Sequence, residues 1–294
     1  MSKCLLIRYE VSRAAAVVHC IIFQGSKGEA RMRIVRCSQG EDTAFHGVLE
    51  DGVVDRIEGD IFGEWRRGRE RSKLADIRLH APLTPPNLLC LGKNYRSFPG
   101  DENPAHPKQP LLFIKSTSSV IGPGEPIVLP EMAPSEVYFE AELAVVIGRT
   151  ARNVSPNSAK DYVLGYLVAN DVGAKDCQSA DGQWARAKSF DSFCPLGPWI
   201  ETELEPADCR IASRVNGEAV QDSTTSLMIF DVPTTISFLS RCMTLWPGTV
   251  ICMGSPGALT DPRPFLRQGD CVEVEVEGVG TLTNPVILSP ARNN

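Results

Sequence analysis

The chain has 294 residues, 43% hydrophobic, 7% aromatic and 22% charged, the composition of a globular protein large enough for one large domain or two modest ones. A formal charge of −6 without a long Lys/Arg run argues against nucleic acid as the main partner, because phosphate binding needs a basic face, whereas an acidic small molecule needs only local cations. No stretch approaches the roughly 18 uninterrupted apolar residues of a membrane span, since Arg8, Glu10, Arg13 and His19 interrupt the apolar N-terminal region.

Residues 1–31 are expected to be a loosely attached extension. A transit peptide is the alternative, which would make the protein mitochondrial, but Glu10 and the strand-like Cys20-Ile21-Ile22-Phe23 speak against it. The ten cysteines show no CxxC pair or regular spacing, and several sit in apolar runs such as Leu88-Leu89-Cys90-Leu91. They read as reduced, buried small hydrophobes in a reducing, cytoplasmic compartment.

From Met32, which is also an alternative start, strands are predicted over Arg33–Cys37, around Gly47–Leu49, and again after the hairpin signal Asp51-Gly52. These make a small β-rich module over 32–80. Pro82, Pro85 and Pro86 then punctuate the chain, and the larger domain takes 81–294, opening on the apolar strand Leu88–Gly92.

Arg96 to Pro110, with five prolines or glycines, several charges and His106, reads as a polar loop that could serve as a lid. Beyond it, strands are expected at Leu111–Ile114, Pro126–Leu129, Val137–Ile147, Val163–Ala169, Cys271–Val276 and Gly280–Leu282. Helical patterns occur only around Ser158–Tyr162 and Thr234–Met243. The fold class is therefore α+β and β-dominated, with no internal repeat.

In Tyr138-Phe139-Glu140-Ala141-Glu142-Leu143-Ala144-Val145-Val146-Ile147, a strand's period of two puts Glu140 and Glu142 on one face, in a frame that looks buried. Two carboxylates roughly 7 Å apart on such a face repel unless a cation or shared protons intervene; a solvated sheet edge is the bland alternative. Asp171 follows Tyr162–Asn170, where a buried strand emerges into a loop. Three carboxylates with no His or Cys set suit Mg²⁺ or Mn²⁺, with Ca²⁺ as a further option, better than zinc. Lys175, Asp176, Gln178 and Lys188 come next, and such lysines either neutralise a substrate carboxylate or lie solvated on the surface.

The ordered set Gly92-Lys93-Asn94-Tyr95-Arg96, Phe139-Glu140-Ala141-Glu142-Leu143, Asn170-Asp171-Val172-Gly173-Ala174-Lys175-Asp176, Lys188-Ser189-Phe190-Asp191 and Pro195-Leu196-Gly197-Pro198 resembles the fumarylacetoacetate hydrolase family. The likeness continues through Val215-Asn216-Gly217-Glu218, Gly254-Ser255-Pro256 and Gly269-Asp270 to Gly280-Thr281-Leu282-Thr283-Asn284, and so spans roughly Met32 to Val286. It implies a mixed β-sandwich roll, often a homodimer, with Mg²⁺ or Mn²⁺ on Glu140, Glu142 and Asp171. It implies that Gln178 and Lys188 face the substrate. Asn94, Tyr95, Lys175 and Ser255 are the other expected substrate contacts, with Lys175 where the family commonly has arginine.

Many hydrolytic members of that family carry a histidine and a glutamate, four and seven residues beyond the asparagine of the Asn-Tyr motif, that activate water. Here Phe98 and Asp101 hold those positions. A 2-oxo acid chelates a metal through its carboxylate and keto oxygens, and the ion stabilises an enolate. Decarboxylation or keto–enol tautomerisation of an oxaloacetate-like acid needs no hydroxide, whereas C–C hydrolysis of an acylpyruvate does. Enolate chemistry with Lys188 as a catalytic residue is therefore expected, with hydrolysis the alternative if His106 swings in from the lid. A non-catalytic metal-binding scaffold is a third reading. A paired-carboxylate glycosidase is a fourth, disfavoured by the low aromatic content.

Overall fold

The computed structural model describes residues 5–7, 19–21, 32–40, 42–133 and 135–289. The expected extension over 1–31 therefore falls mostly outside the described residues; of it, Leu5–Ile7 and His19–Ile21 form an antiparallel pair.

In chain order the strands and helices that build the site are β1 (Arg33–Ser38), β2 (Phe45–Glu50), β3 (Val53–Gly59), β4 (Trp65–Lys73), β5 (Leu88–Gly92), β6 (Leu111–Ile114), β7 (Ile127–Leu129), β8 (Ala141–Ile147), β9 (Val163–Asn170), α1 (Lys175–Asp181), α2 (Ala185–Lys188), β10 (Cys194–Glu201), β11 (Arg210–Val215), β12 (Glu218–Thr224), α3 (Val232–Cys242), β13 (Val250–Cys252), β14 (Cys271–Val276) and β15 (Gly280–Leu288). The protein is β-dominated, as expected.

One large sheet runs in the order β4-β3-β2-β1-β10-β9-β8-β13-β5-β6. It begins as an antiparallel meander whose β2–β3 turn uses Asp51 and Gly52 at φ 46° and 78°, the left-handed pair that a tight hairpin requires. It crosses into the larger domain where β1 pairs with β10, Ile34 opposite Ile200, and Arg33 Nε reaches Glu201 Oε2 at 3.2 Å. The N-terminal strands and the site-bearing strands are thus one hydrogen-bonded sheet.

A second sheet, β7-β15-β14-β11-β12, packs over the first. In β14 the Cys-Val-Glu-Val-Glu-Val alternation buries Val272, Val274 and Val276 against Leu143, Val145 and Val168 of the large sheet. The opposite face of the large sheet is covered too, where Ala144 and Val146 join Leu88, Leu167, Leu196 and Val250. β8 is therefore buried at all seven positions, which explains its nearly continuous apolar text. At roughly 1.5–3 kcal/mol for each fully buried large aliphatic side chain, this double-sided packing holds the strand carrying Glu142 rigidly.

Two expectations need correcting. The predicted strand Val137–Ile147 is broken: Val137–Tyr138 pairs with Gly173–Ala174, and β8 begins only at Ala141. Glu140 lies at the break, its N–H donating to Asn170 Oδ1 at 3.2 Å and its carbonyl accepting from Asp171 N at 2.9 Å. The helical pattern near Ser158–Tyr162 is a 3₁₀ segment, Pro156–Tyr162. The other predicted helix is α3, capped by Asp231, whose carboxylate accepts from Thr234 N at 2.8 Å, and burying Val232, Ile236 and Leu239 along one face. The cysteines from Cys37 to Cys271 are free thiols, and no helix among the described residues is long and apolar enough to cross a membrane.

Candidate metal centre and active site

The ends of β8 and β9 bring three carboxylates together. Oxygens of Glu140, Glu142 and Asp171 all lie within 4.8 Å of one another. Glu142 and Asp171 are buried and Glu140 is half-buried. They line a cavity of about 260 Å³ together with Lys188, Arg263, Gln178 and Ser255, with Phe113, Tyr138 and Trp184 as aromatic walls. Phe113 and Trp184 meet edge to face at 5.1 Å. Gly92 makes room for that wall, since a Cβ there would fall 2.4 Å from the Trp184 ring.

Two buried lysines order the carboxylates. Lys115 donates to Asp171 Oδ1, to Val172 O at 3.1 Å and to Phe193 O at 2.7 Å, so all three of its N–H bonds are used. Lys188 bridges Glu140 Oε2 at 2.7 Å and Asp171 Oδ2, with Asp171 O at 3.3 Å as its third acceptor, and its ammonium lies 4.7 Å from the centre of the Tyr138 ring. Burial pushes the Asp171 carboxyl up, but Lys115 and Lys188 together outweigh it and hold the group below the usual carboxylate range. Burial pulls Lys188 down, yet Asp171 and then Glu140 raise it well above an ordinary lysine, so it stays charged.

Glu142 is different. Its carboxylate accepts one hydrogen bond, from Gly254 N at 2.8 Å, and makes no ion pair among the described residues. Burial, reinforced by Asp171 and Glu140, raises its carboxyl well above the ordinary value. A buried carboxylate that has two acidic neighbours and no cation of its own fits a divalent-ion site, and the all-oxygen donor set fits a hard ion such as Mg²⁺ or Mn²⁺. Gly254 is required here: at φ +82° its added Cβ would lie 2.9 Å from Asn94 Cβ and 3.0 Å from Leu91 O.

Of the residues singled out in the sequence, Glu140, Glu142, Asp171, Lys188, Gln178 and Ser255 all border this cavity. Gln178 Oε1 accepts from Tyr138 Oη at 3.0 Å, and Ser255 Oγ from Gln221 Nε2 at 2.8 Å. Asn94 and Tyr95 do not line it. The Asn94 side chain clamps the backbone of Phe230 and Met253, and Tyr95 is half-buried, its hydroxyl buried without a hydrogen-bond partner among the described residues. Lys175 is exposed at the start of α1, outside the lining. His106 is also outside it, in the 96–110 loop, its Nε2 3.4 Å from Asp101 Oδ2. Phe98 is 59% exposed.

Sequence reasoning missed Lys115, Arg263 and the aromatic wall. Lys115 had a readable signal, an isolated cation closing the apolar strand Leu111–Ile114, as Asp171 closes β9. Arg263 came from a Pro-rich loop without one. A larger surface cleft of about 350 Å³ near Thr43, Arg56 and Glu70 lies on the N-terminal strands, away from the carboxylates, and its Arg56 is already paired with Glu70 at 2.8 Å.

Residues 87–287 match the family described as fumarylacetoacetate (FAA) hydrolase C-terminal, and residues 32–82 match the Rv2993c-like N-terminal family. Protein Rv2993c of Mycobacterium tuberculosis is 45% identical over 265 residues, 87% of this chain and 98% of that protein. Oxaloacetate tautomerase fahd2, mitochondrial, of Xenopus laevis is 41% identical over 222 residues, 72% of this chain and 69% of that one. Among solved structures, 2-hydroxyhepta-2,4-diene-1,7-dioate isomerase from Mycobacterium marinum superposes with a TM-score of 0.80 at 41% identity, covering 88% of this chain and 100% of that chain. Matched over the strands, loops and helices that enclose the three carboxylates, the chain belongs to the fumarylacetoacetate hydrolase family and is an enzyme of that family.

Proposed function

We propose that this enzyme interconverts the keto and enol forms of a small 2-oxo acid of the oxaloacetate type, using Mg²⁺ or Mn²⁺ held by Glu140, Glu142 and Asp171. One observation carries the reading: the cavity gathers three carboxylates and the cation Lys188, while the described residues lining it include no histidine to generate hydroxide. When bound, the ion supplies Lewis-acid stabilisation of negative charge on the substrate's keto oxygen. Lys188 holds Glu140 and Asp171 in place and contributes a fixed positive charge beside the reacting group. Its raised pKa makes it a permanent cation rather than a base at neutral pH. Gln178 and Ser255 offer hydrogen bonds to the substrate's oxygens, and Phe113 with Trp184 keeps one side of the cavity dry. Lys175, Asn94 and Tyr95 act, on this reading, by shaping the surrounding loops.

The names of two relatives support tautomerisation over decarboxylation, since both an oxaloacetate tautomerase and a dienedioate isomerase move a proton between carbon and an enol system. The experiment is a panel of 2-oxo acids with and without Mg²⁺ or Mn²⁺. Enol-to-keto turnover of oxaloacetate that needs the metal and disappears in Glu142→Ala supports the proposal; metal-independent turnover, or none, overturns it.

A second reading, hydrolysis of an acylpyruvate C–C bond, is favoured by the His106–Asp101 pair, which puts an imidazole and a carboxylate side by side on the loop. Acylpyruvate cleavage that is lost in His106→Ala would establish it. We also propose a homodimer acting in the cytoplasm, or in mitochondria as the name of the Xenopus relative suggests. Leu111 and Ile114, exposed on the edge strand β6, support an interface, and solution mass measurement tests it.

A further inference from the structure

We infer that Arg263 is the specificity-determining residue that reads the distal carboxylate of a 2-oxo dicarboxylate, an assignment that rests on the function proposed above. The cations lining the cavity are Lys93, Lys188 and Arg263. Lys188 has three N–H bonds and three acceptors, all from the protein, so it has none left for a substrate carboxylate. Lys175, the cation the sequence suggested for this task, is exposed and outside the lining.

Arg263 is anchored through one nitrogen only. Nη1 reaches Phe139 O at 2.8 Å and Glu140 Oε1 at 3.1 Å. The Nε and Nη2 donors have no acceptor among the described residues, and these two N–H groups form the edge of a guanidinium that binds a carboxylate bidentately. The side chain is 19% exposed, dry enough for the pair to be strong, and its guanidinium lies 5.8 Å from the Tyr138 ring. The charges agree: Glu140, Glu142 and Asp171 are outnumbered by Lys93, Lys115, Lys188 and Arg263, and a divalent ion widens the excess, which suits a dianion. Lys93 is exposed and lacks the planar fork, so it is the weaker reader.

The test compares 2-oxoglutarate with 2-oxopentanoate, five-carbon acids that differ in a terminal carboxylate against a methyl group, by calorimetry on the Mg²⁺-loaded protein. Wild type should bind the dicarboxylate about 10- to 100-fold more tightly, the range for a charged hydrogen-bonded pair. Arg263→Gln should bring the two acids to equal affinity by weakening only the dicarboxylate, Arg263→Lys should keep part of the preference, and Lys93→Gln should keep nearly all. Every variant should still bind Mn²⁺, and Arg263→Gln no more weakly than wild type, because the change frees the Glu140 carboxylate from a competing cation. Equal binding of both acids by wild type, equal weakening of both by Arg263→Gln, or loss of the preference only in Lys93→Gln would overturn the assignment. Oxaloacetate turnover separates the two claims: an Arg263-dependent preference without turnover upholds the residue and sinks the reaction, whereas turnover with an Arg263-independent preference does the reverse.

Discussion

Replacing Lys115 by Met should be among the most damaging single changes in this protein, although Lys115 lies outside the lining of the site cavity. The ammonium is fully buried, which pulls its pKa down, but the Asp171 carboxylate outweighs that penalty and raises it. Met fills a similar volume but leaves Asp171 Oδ1 and the carbonyls of Val172 and Phe193 without their donor. Breaking a buried ion pair from one side costs about 3–5 kcal/mol, a large share of the roughly 5–15 kcal/mol that holds a typical domain together. At about 2–4 °C per kcal/mol for a large domain, the midpoint should fall by roughly 6–20 °C. Thermal and urea unfolding of Lys115→Met, Asp171→Leu and the double variant, all without metal, form the cycle that checks this. The double variant should lose less than the sum of the two single losses, because Lys115 and Asp171 satisfy each other and Lys188 keeps Glu140 as its partner when Asp171 is gone. A loss under about 1 kcal/mol with additive double-mutant behaviour would refute the coupling.

Other outcomes follow from neighbouring contacts. Gly254→Ala forces a side chain into left-handed backbone against Asn94 and Leu91, and should cost about 1–3 kcal/mol while weakening Mn²⁺ binding through the displaced Glu142 donor, both read by calorimetry. Because burial holds the Glu142 carboxyl above 4.5, it must lose a proton to ligate an ion. Mg²⁺ affinity should therefore climb as pH rises above that value, with proton release visible in buffers of different ionisation enthalpy; a flat profile from pH 5 to 8 would count against it. His46 and His80 are held below 6.5, chiefly by burial, so the unfolded chain takes up their protons first on acidification. Their contribution to stability is intact above 6.5 and is lost as pH falls below it, and His46→Gln with His80→Gln should flatten that part of the unfolding curve. His106→Ala should leave oxaloacetate tautomerisation unchanged; a drop of tenfold or more would bring the loop histidine into the reaction.

Where the sequence carried a strong period, the fold could be read from it. β14 alternates because one face meets the core, and α3 repeats its apolar residues over a capped turn. The two glutamates were legible as a site because like charges in an apolar strand demand a partner. The break at Phe139–Glu140 was not legible, since only the pairing of Val137–Tyr138 with Gly173–Ala174, distant in sequence, creates it. Helices α1 and α2 were missed because they are short and polar and are fixed by packing around the site, not by an apolar stripe. β4, Trp65–Lys73, escaped because its text is charged: it is an edge strand whose arginines pair across to β2 and β3, as Arg71 does with Asp55 at 2.6 Å. β10 carries two prolines that argue against a central strand, yet it is accommodated where its pairing with β9 shifts register. Arg263 sits in an irregular loop, so only the folded chain brings it to Glu140.

The most direct test of the central claim is a Mn²⁺ titration of the metal-free protein, followed by calorimetry and by the paramagnetic signal of the ion, for wild type and for Glu142→Gln. One ion per chain, bound by wild type and lost or weakened at least a hundredfold in the variant, is what three carboxylates on one ion predict. Wild-type protein that binds no ion, or a Glu142→Gln variant that binds it equally well, would contradict the account.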